Sequence, residues 1–296
     1  VKVSRIELDG TGSPQGLVTA ILKIEKELPL PVPIHELCYA LDITEILIQD
    51  TDSFEGALIT DTDRNRGAII ARASHPYRER YTIGHELGHF LIPRHIPNAE
   101  DRFLCSPKDM KTFSANKDEV WASREVEANR FASLMLIPPP ALRKLLDQSG
   151  DPNLQHIPAL SKQFEVSKEA LARAYAEYHD EPIAILVVHN GIILRSYRNP
   201  TRFPFIKMNP NQKVPLQSLY CRWNKTNVAS DIEECLPNLW IDVEYGKPAP
   251  KLYEQVYPQQ DGYGLIMLWI EPTEDEYEDE DKTSKERLRD RQARWQ

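Results

Sequence analysis

The chain has no apolar run approaching the roughly 18 residues of a membrane-crossing helix, so no helical span is expected. Its four cysteines, Cys38, Cys105, Cys221 and Cys235, are scattered, and none forms a Cys-x-x-Cys pair. That argues against a cysteine-built metal site and for free thiols in a reducing compartment, so the cytoplasm is the expected location. Basic charge is not in excess: 36 Lys and Arg stand against 45 Asp and Glu, a formal net charge of −9. Phosphate contact needs clustered cations, so direct nucleic-acid binding is not expected. There is no phosphate loop, no dinucleotide fingerprint and no internal repeat. Residues 1–16 carry acidic side chains and no apolar core, which argues against a secretory leader there and suggests a flexible N-terminus. The whole chain, 296 residues at 41% hydrophobic and 27% charged, has the composition of a soluble globular protein with room for two domains.

Against these absences stands one run, Tyr-Thr-Ile-Gly-His-Glu-Leu-Gly-His-Phe-Leu-Ile, at residues 81–92. Its core is His-Glu-x-x-His. On a helix, positions i and i+4 share a face, so His85 and His89 can hold one metal ion together. Glu86 lies about 100° around the axis, where a carboxylate can serve as general base to a water on that metal. This is the pattern of zinc-dependent peptidases. Ile83, Leu87, Phe90, Leu91 and Ile92 predict a buried helix, opened near Pro76 with Ser74 or His75 as cap and ended by Pro93. Gly84 and Gly88 weaken a helix by about 1 kcal/mol each relative to Ala, which predicts that something approaches the helix backbone closely there.

A catalytic metal of this kind needs a third protein ligand. The segment 118–137 reads as a second helix, stopped by Pro138-Pro139-Pro140. Glu125 shares its stripe with Trp121, Ala128, Asn129 and Ala132, so it is expected to face inward, where a carboxylate needs a cation. Glu127 shares its stripe with Ser123, Arg124, Arg130 and Phe131, mostly polar, and is expected to face water. The competing reading of Glu125 is a buried carboxylate paired with an arginine. Asn129, one turn on, is placed to orient His85 or His89. His95 reads as a surface residue.

His-Glu-Leu-Gly-His, then Glu-x-x-Ala-Asn-x-Phe-Ala at 125–132 and Leu-Met-Leu-Ile-Pro at 134–138, resembles the ImmA/IrrE family of metallopeptidases. Phe54-Glu55-Gly56-Ala57 and Arg80-Tyr81-Thr82-Ile83 are similar to that family as well, and the resemblance spans roughly residues 30–180. It implies a gluzincin-like zinc site with His85, His89 and Glu125 as ligands and Glu86 as base, manganese being an alternative metal. It also implies cleavage of a partner protein, typically a helix-turn-helix transcriptional repressor, in a regulatory switch. No spacing identifies a transition-state hydrogen-bond donor; Tyr81, Arg80 and His156 are the candidates.

The expected organisation is α+β: a zincin-like domain over 17–181, a strand-rich α+β domain over 182–270 and a charged tail over 271–296. Short helices are expected at 17–28 and 34–41. Strands at 57–60 and 68–73 are joined by a turn, the second ending beside the metal helix as a candidate substrate-binding edge. Residues 94–117 read as a loop covering the cleft. Residues 154–178 read as helix, tight turn, helix, a helix-turn-helix shape taken as a packing element because the second helix offers only Lys168, Glu169 and Arg173. In the second domain, strands at 183–189 and 192–197 flank Asn190-Gly191, a type I′ turn signal. Further strands are expected at 240–245, 252–257 and 263–270. The tail is acidic over 271–281 and mostly basic beyond, and reads as solvated. Two other functions remain: a zinc-stabilised regulatory protein that does not cleave, closed by Cys105 as a fourth ligand, and a DNA-binding regulator using 154–178.

Overall fold

The computed structural model describes residues 1–61, 63–96, 102–106, 110, 120–243 and 248–271. The expected charged tail, apart from Glu271, lies outside them, as does much of the expected covering loop. The architecture is α+β, with seven α-helices and two sheets among the described residues. None of those helices is long and apolar enough to cross a membrane. The chain divides into two compact units, one of residues 1–145 and 158–171, the other of 146–157 and 172–296. A single crossing at 181–182 was expected instead.

The first unit opens on a 3-10 turn, Arg5–Leu8, and helix α1 (Pro14–Ile24). Val3 and Leu8 are buried, where a flexible N-terminus over residues 1–16 was expected. Ser13 caps α1 by accepting from Gly16 N, and Leu17, Val18 and Ile21 form its buried stripe. Helix α2 (Ile34–Ala40) leads into a four-stranded sheet of β1 (Ile43–Gln49), β2 (Gly56–Thr60), β3 (Gly67–Arg72) and β4 (Arg102–Cys105). The strand order is β1-β3-β2-β4, with β1 parallel to β3 and the other pairs antiparallel. β3 alternates buried and half-buried residues along its length, the period of a strand with one face on a core. Paired with β1 on one side and β2 on the other, it is an inner strand; the edges among the described strands are β1 and β4, and the expectation of a substrate-binding edge at β3 is corrected. β4 also falls inside the segment expected to be loop: its four residues carry no strong strand pattern and are held by pairing with β2.

Helix α3 (Pro76–Leu91) touches β1, β2 and β3 as well as α2 and helix α4 (Val120–Leu136). With neighbours of both kinds, ten consecutive residues, Thr82 to Leu91, are buried. His75 caps its start by accepting from Tyr77 N at 3.2 Å. Its far end is held by Arg64, which sits in the β2–β3 turn at φ +54°. The Arg64 guanidinium donates to the carbonyls of His89 (2.6 Å), Ile92 (3.2 Å) and His95 (2.9 Å), and to that of Phe90, a cation at the negative end of the helix dipole. Helices α5 (Pro139–Ser149), α6 (His156–Phe164) and α7 (Lys168–Tyr178) follow. The Pro138–Pro140 run does stop α4, and it also starts α5, since proline suits the first turn of a helix. α7 buries Leu171, Ala172, Tyr175 and Ala176.

The second unit is built on a five-stranded sheet ordered β6-β5-β9-β8-β7, all antiparallel. Its strands are β5 (Ile183–His189), β6 (Ile192–Arg198), β7 (Glu233–Cys235), β8 (Leu252–Pro258) and β9 (Tyr263–Ile270). Asn190 and Gly191 both take positive φ, 50° and 74°, as a type I′ hairpin requires. The expected strand at 240–245 does not form: over its described part only Ile241 makes an isolated bridge, to Ile206. Trp240 is instead packed whole into the core with Leu186, Val188, Leu219 and Val256. The unit reaches back to 146–157 through polar anchors. Gln255 accepts from Leu154 N (2.7 Å) and donates to Asn153 Oδ1 (3.1 Å), and Tyr175 OH accepts from Asn153 N (3.1 Å).

Candidate metal centre

α3 and α4 pack closely because α3 has no side chain where they meet. A Cβ on Gly88 would lie 3.2 Å from Ala128 Cα and 3.2 Å from Phe131 Cβ, and one on Gly84 would lie 3.6 Å from Ala132 Cα. The two glycines that weaken α3 thus admit α4, the close approach expected from the sequence. That approach delivers Glu125 to the histidines.

His85 and His89 bring their Nε2 atoms to 3.0 Å from each other. One Glu125 carboxylate oxygen lies 3.2 Å from His85 Nε2 and the other 3.4 Å from His89 Nε2. Cys105 Sγ, from β4, lies 3.7 Å from His89 Nε2. One ligand atom from each of these four residues falls within 4.8 Å of all the others. Glu125 is 1% exposed and the other three 0%, so the cluster is sealed from bulk water. No arginine meets Glu125 in an ion pair among the described residues; its partners are the two imidazoles.

The ring tautomers are set from outside the cluster. Asn129 Oδ1 lies 2.9 Å from His85 Nδ1 and accepts its proton, while Tyr81 OH donates to the same oxygen at 2.7 Å. His85 Nε2 therefore turns a lone pair inward. On the other side Glu127 Oε2 lies 2.9 Å from His95 Nε2, and His95 Nδ1 lies 3.0 Å from His89 Nδ1. A carboxylate accepts only, so His95 donates to it from Nε2 and has a lone pair at Nδ1. His89 donates into that lone pair and presents its own Nε2 to the cluster. Two imidazole lone pairs and a carboxylate then converge in a buried space, an arrangement that is costly unless a cation sits among them.

The electrostatics agree. Burial pushes His89 down to about 4 despite the Glu125 carboxylate that faces it, so this ring is neutral. Burial, with His89 and three arginines close by, pushes His95 down to about 2, consistent with a ring that accepts at Nδ1. Burial opposes the charged form of Glu125, yet the two facing imidazoles, which can donate to it only when protonated, prevail and hold it down to about 2. For His85 burial is likewise outweighed, here by the Glu125 hydrogen bond and the charges of Glu86 and Glu125, and its affinity for a proton is raised. The cluster thus demands positive charge, either a proton shared between His85 and Glu125 or a metal ion held by the group. Two imidazoles and a carboxylate, each oriented by a second hydrogen bond or a facing partner, make a donor set that a divalent metal fits.

Glu86, also 0% exposed, follows His85 and turns toward β2. A Cβ on Gly56 would overlap its carboxyl group, so the glycine at this strand position makes the space the carboxylate occupies. Next to it Glu55, 5% exposed, is paired with Arg78 of α3 (2.8 Å) and Arg72 of β3 (3.2 Å), which ties the start of α3 to the sheet. Of the three donor candidates, Tyr81 stands at the centre through Asn129. Arg80 is turned away, donating to Val32 O at 2.8 Å with Glu165 at 3.5 Å. His156 belongs to the second unit, where its Nδ1 meets Tyr175 OH at 3.0 Å.

Two expectations are corrected. His95 is fully buried rather than on the surface, and Glu127 does not simply face water: it binds His95 and, from the other side, Arg94. The spacing rule placed Glu127 about 200° from Glu125 on the helix. It could not show that the chain, turning after Pro93, brings His95 back to meet it.

Among curated proteins none matches this chain. The model of one family does: residues 42–175 match peptidase M78, described as the IrrE N-terminal-like domain. The matched segment runs from the residue before β1 through α3 and α4 into α7 and contains every residue of the cluster. Over residues 42–175 the chain is thus similar to the metallopeptidases of the M78, IrrE N-terminal-like family, and there it pairs the helix that carries His85 and His89 with a small sheet.

Proposed function

We propose that the chain is a zinc-dependent endopeptidase in which His85, His89 and Glu125 hold the metal and Glu86 is the general base. The observation that carries this reading is the convergence of one carboxylate and two imidazoles, each ring with its tautomer fixed by a partner outside the cluster. Two imidazoles and a carboxylate suit zinc, and manganese is compatible with the same set. When bound, such an ion supplies Lewis-acid activation of water and of a peptide carbonyl. The residues supply the rest. Asn129 and the Glu127–His95 pair hold the two rings in register. Glu86, in the pocket left by Gly56, accepts the proton of the attacking water and returns it to the leaving amine. The sealed surroundings strengthen each of these electrostatic contacts.

The substrate in this proposal is a helix-turn-helix transcriptional repressor, cut in a cytoplasmic regulatory switch, as the family resemblance implies. Glu86→Gln tests the assignment: it is expected to bind one metal ion per chain and to cleave about 100- to 10,000-fold more slowly. Cleavage is read by mass spectrometry after incubation with small helix-turn-helix proteins encoded beside this gene. Undiminished cleavage by Glu86→Gln would remove Glu86 from the mechanism.

A further inference from the structure

The fourth member of the cluster has no part in that mechanism. Cys105 is opposite Gly56 in the β2–β4 ladder, and Glu55 N donates to Cys105 O at 2.9 Å. Opposed residues of an antiparallel pair point to the same face. The face on which Gly56 makes room for Glu86 is therefore the face from which Cys105 projects, and Leu104 beside it is 45% exposed while Cys105 is 0% exposed. The ladder thus delivers one sulfur to the point where the imidazole lone pairs and the Glu125 carboxylate converge, next to the base. The cluster's demand for a cation, established from the other three residues and their outside partners, is the independent sign that this is a ligand position.

We propose that the Cys105 thiolate is a fourth, removable ligand, and that this conformation is a latent form of the enzyme. The proposal rests on the metal reading above. Four protein ligands make a closed site of the structural kind, whereas a hydrolytic site keeps one position for water. With sulfur in that position Glu86 has no activated water to deprotonate. Because β4 is a four-residue edge strand held in the described sheet by β2 alone, the sulfur is carried on an element that can leave without unmaking α3 or α4. Coordination balances simply: the thiol proton is released to solvent as the thiolate binds, and is recovered when the sulfur departs.

The test uses the full chain loaded with Co2+ alone, and reads the metal rather than turnover. Wild type is expected to bind one Co2+ per chain with an intense near-ultraviolet thiolate-to-metal band, and Cys105→Ala is expected to bind Co2+ and lose that band. Zinc-edge X-ray absorption on wild type loaded separately with Zn2+, which needs no variant, is expected to show one sulfur at about 2.3 Å. Acetohydroxamate then probes the open position: it is expected to perturb the Co2+ spectrum of Cys105→Ala at a concentration at least about tenfold below that needed for wild type. One Co2+ per chain without a sulfur ligand in wild type would overturn the latch and leave the metal site standing. Equal acetohydroxamate affinity in the two proteins would overturn removal of the sulfur as the opening step. Failure to bind Co2+ at all would overturn the metal reading, and the latch with it.

Discussion

His89 is held from three sides. Its Nε2 faces Glu125 and Cys105, its Nδ1 faces His95, and its carbonyl accepts from Arg64. The His95 ring matters through a single lone pair. Glu127 fixes that lone pair at Nδ1, and burial keeps the ring neutral, so the chain from Glu127 to His89 has one consistent direction of proton donation. Replacing His95 by leucine removes the acceptor of His89 Nδ1 and lets the ring choose either tautomer. His95→Leu is expected to weaken zinc binding about 10- to 100-fold, the usual effect of removing a group that orients a ligand, measured by competition with a chromophoric chelator. A change below about twofold would mean that His89 is oriented by packing alone. Asn129 performs the same task for His85, and its place one helical turn after Glu125 is what allowed the sequence to suggest it. Nothing in the spacing suggested His95.

At the level of elements, the site is made by two helices approaching one another, and Gly88 sets how near they come. A methyl group there meets a backbone Cα and a fully buried phenylalanine, neither of which can give way cheaply. Gly88→Ala is expected to destabilise the protein by about 1–3 kcal/mol, despite the better helix propensity of alanine, and to weaken metal binding because α4 carries Glu125. Urea unfolding and a metal titration check the two effects; unchanged stability would show that α4 can shift without loss. The sequence made this much legible because each feature is local. Proline and histidine at the start of α3, the glycines on one of its faces, the inward stripe of α4 and the Asn-Gly turn of β5–β6 are all set within a few residues. The elements it missed depend on distant partners. β1 exists through parallel pairing with β3, β4 through pairing with β2, and neither has a strong pattern of its own. Trp240 and its neighbours had the apolar content of a strand, but Trp240 is spent filling the core beside β5 and β8 rather than extending a ladder.

On the scale of the whole chain, the metal cluster lies in only one of the two units. All of its donors come from α3, α4 and β4, while the second unit closes a core of its own between Ala184 and Leu268. A ligand stabilises the elements that bind it by an amount set by its concentration relative to its dissociation constant, about 4 kcal/mol at a thousandfold excess. The cost it offsets here is local: three buried acceptors held close together on α3 and α4. Zinc is therefore expected to slow amide hydrogen exchange in α3 and α4 by about 100- to 1,000-fold, up to the limit set by global unfolding, and to leave β5 and β9 unchanged. Exchange followed peptide by peptide, with zinc and with chelator, makes the comparison within one sample. Equal protection of both sheets would show that metal binding is coupled to the folding of the entire chain. Protection of neither α3 nor α4 would place the metal somewhere other than between them.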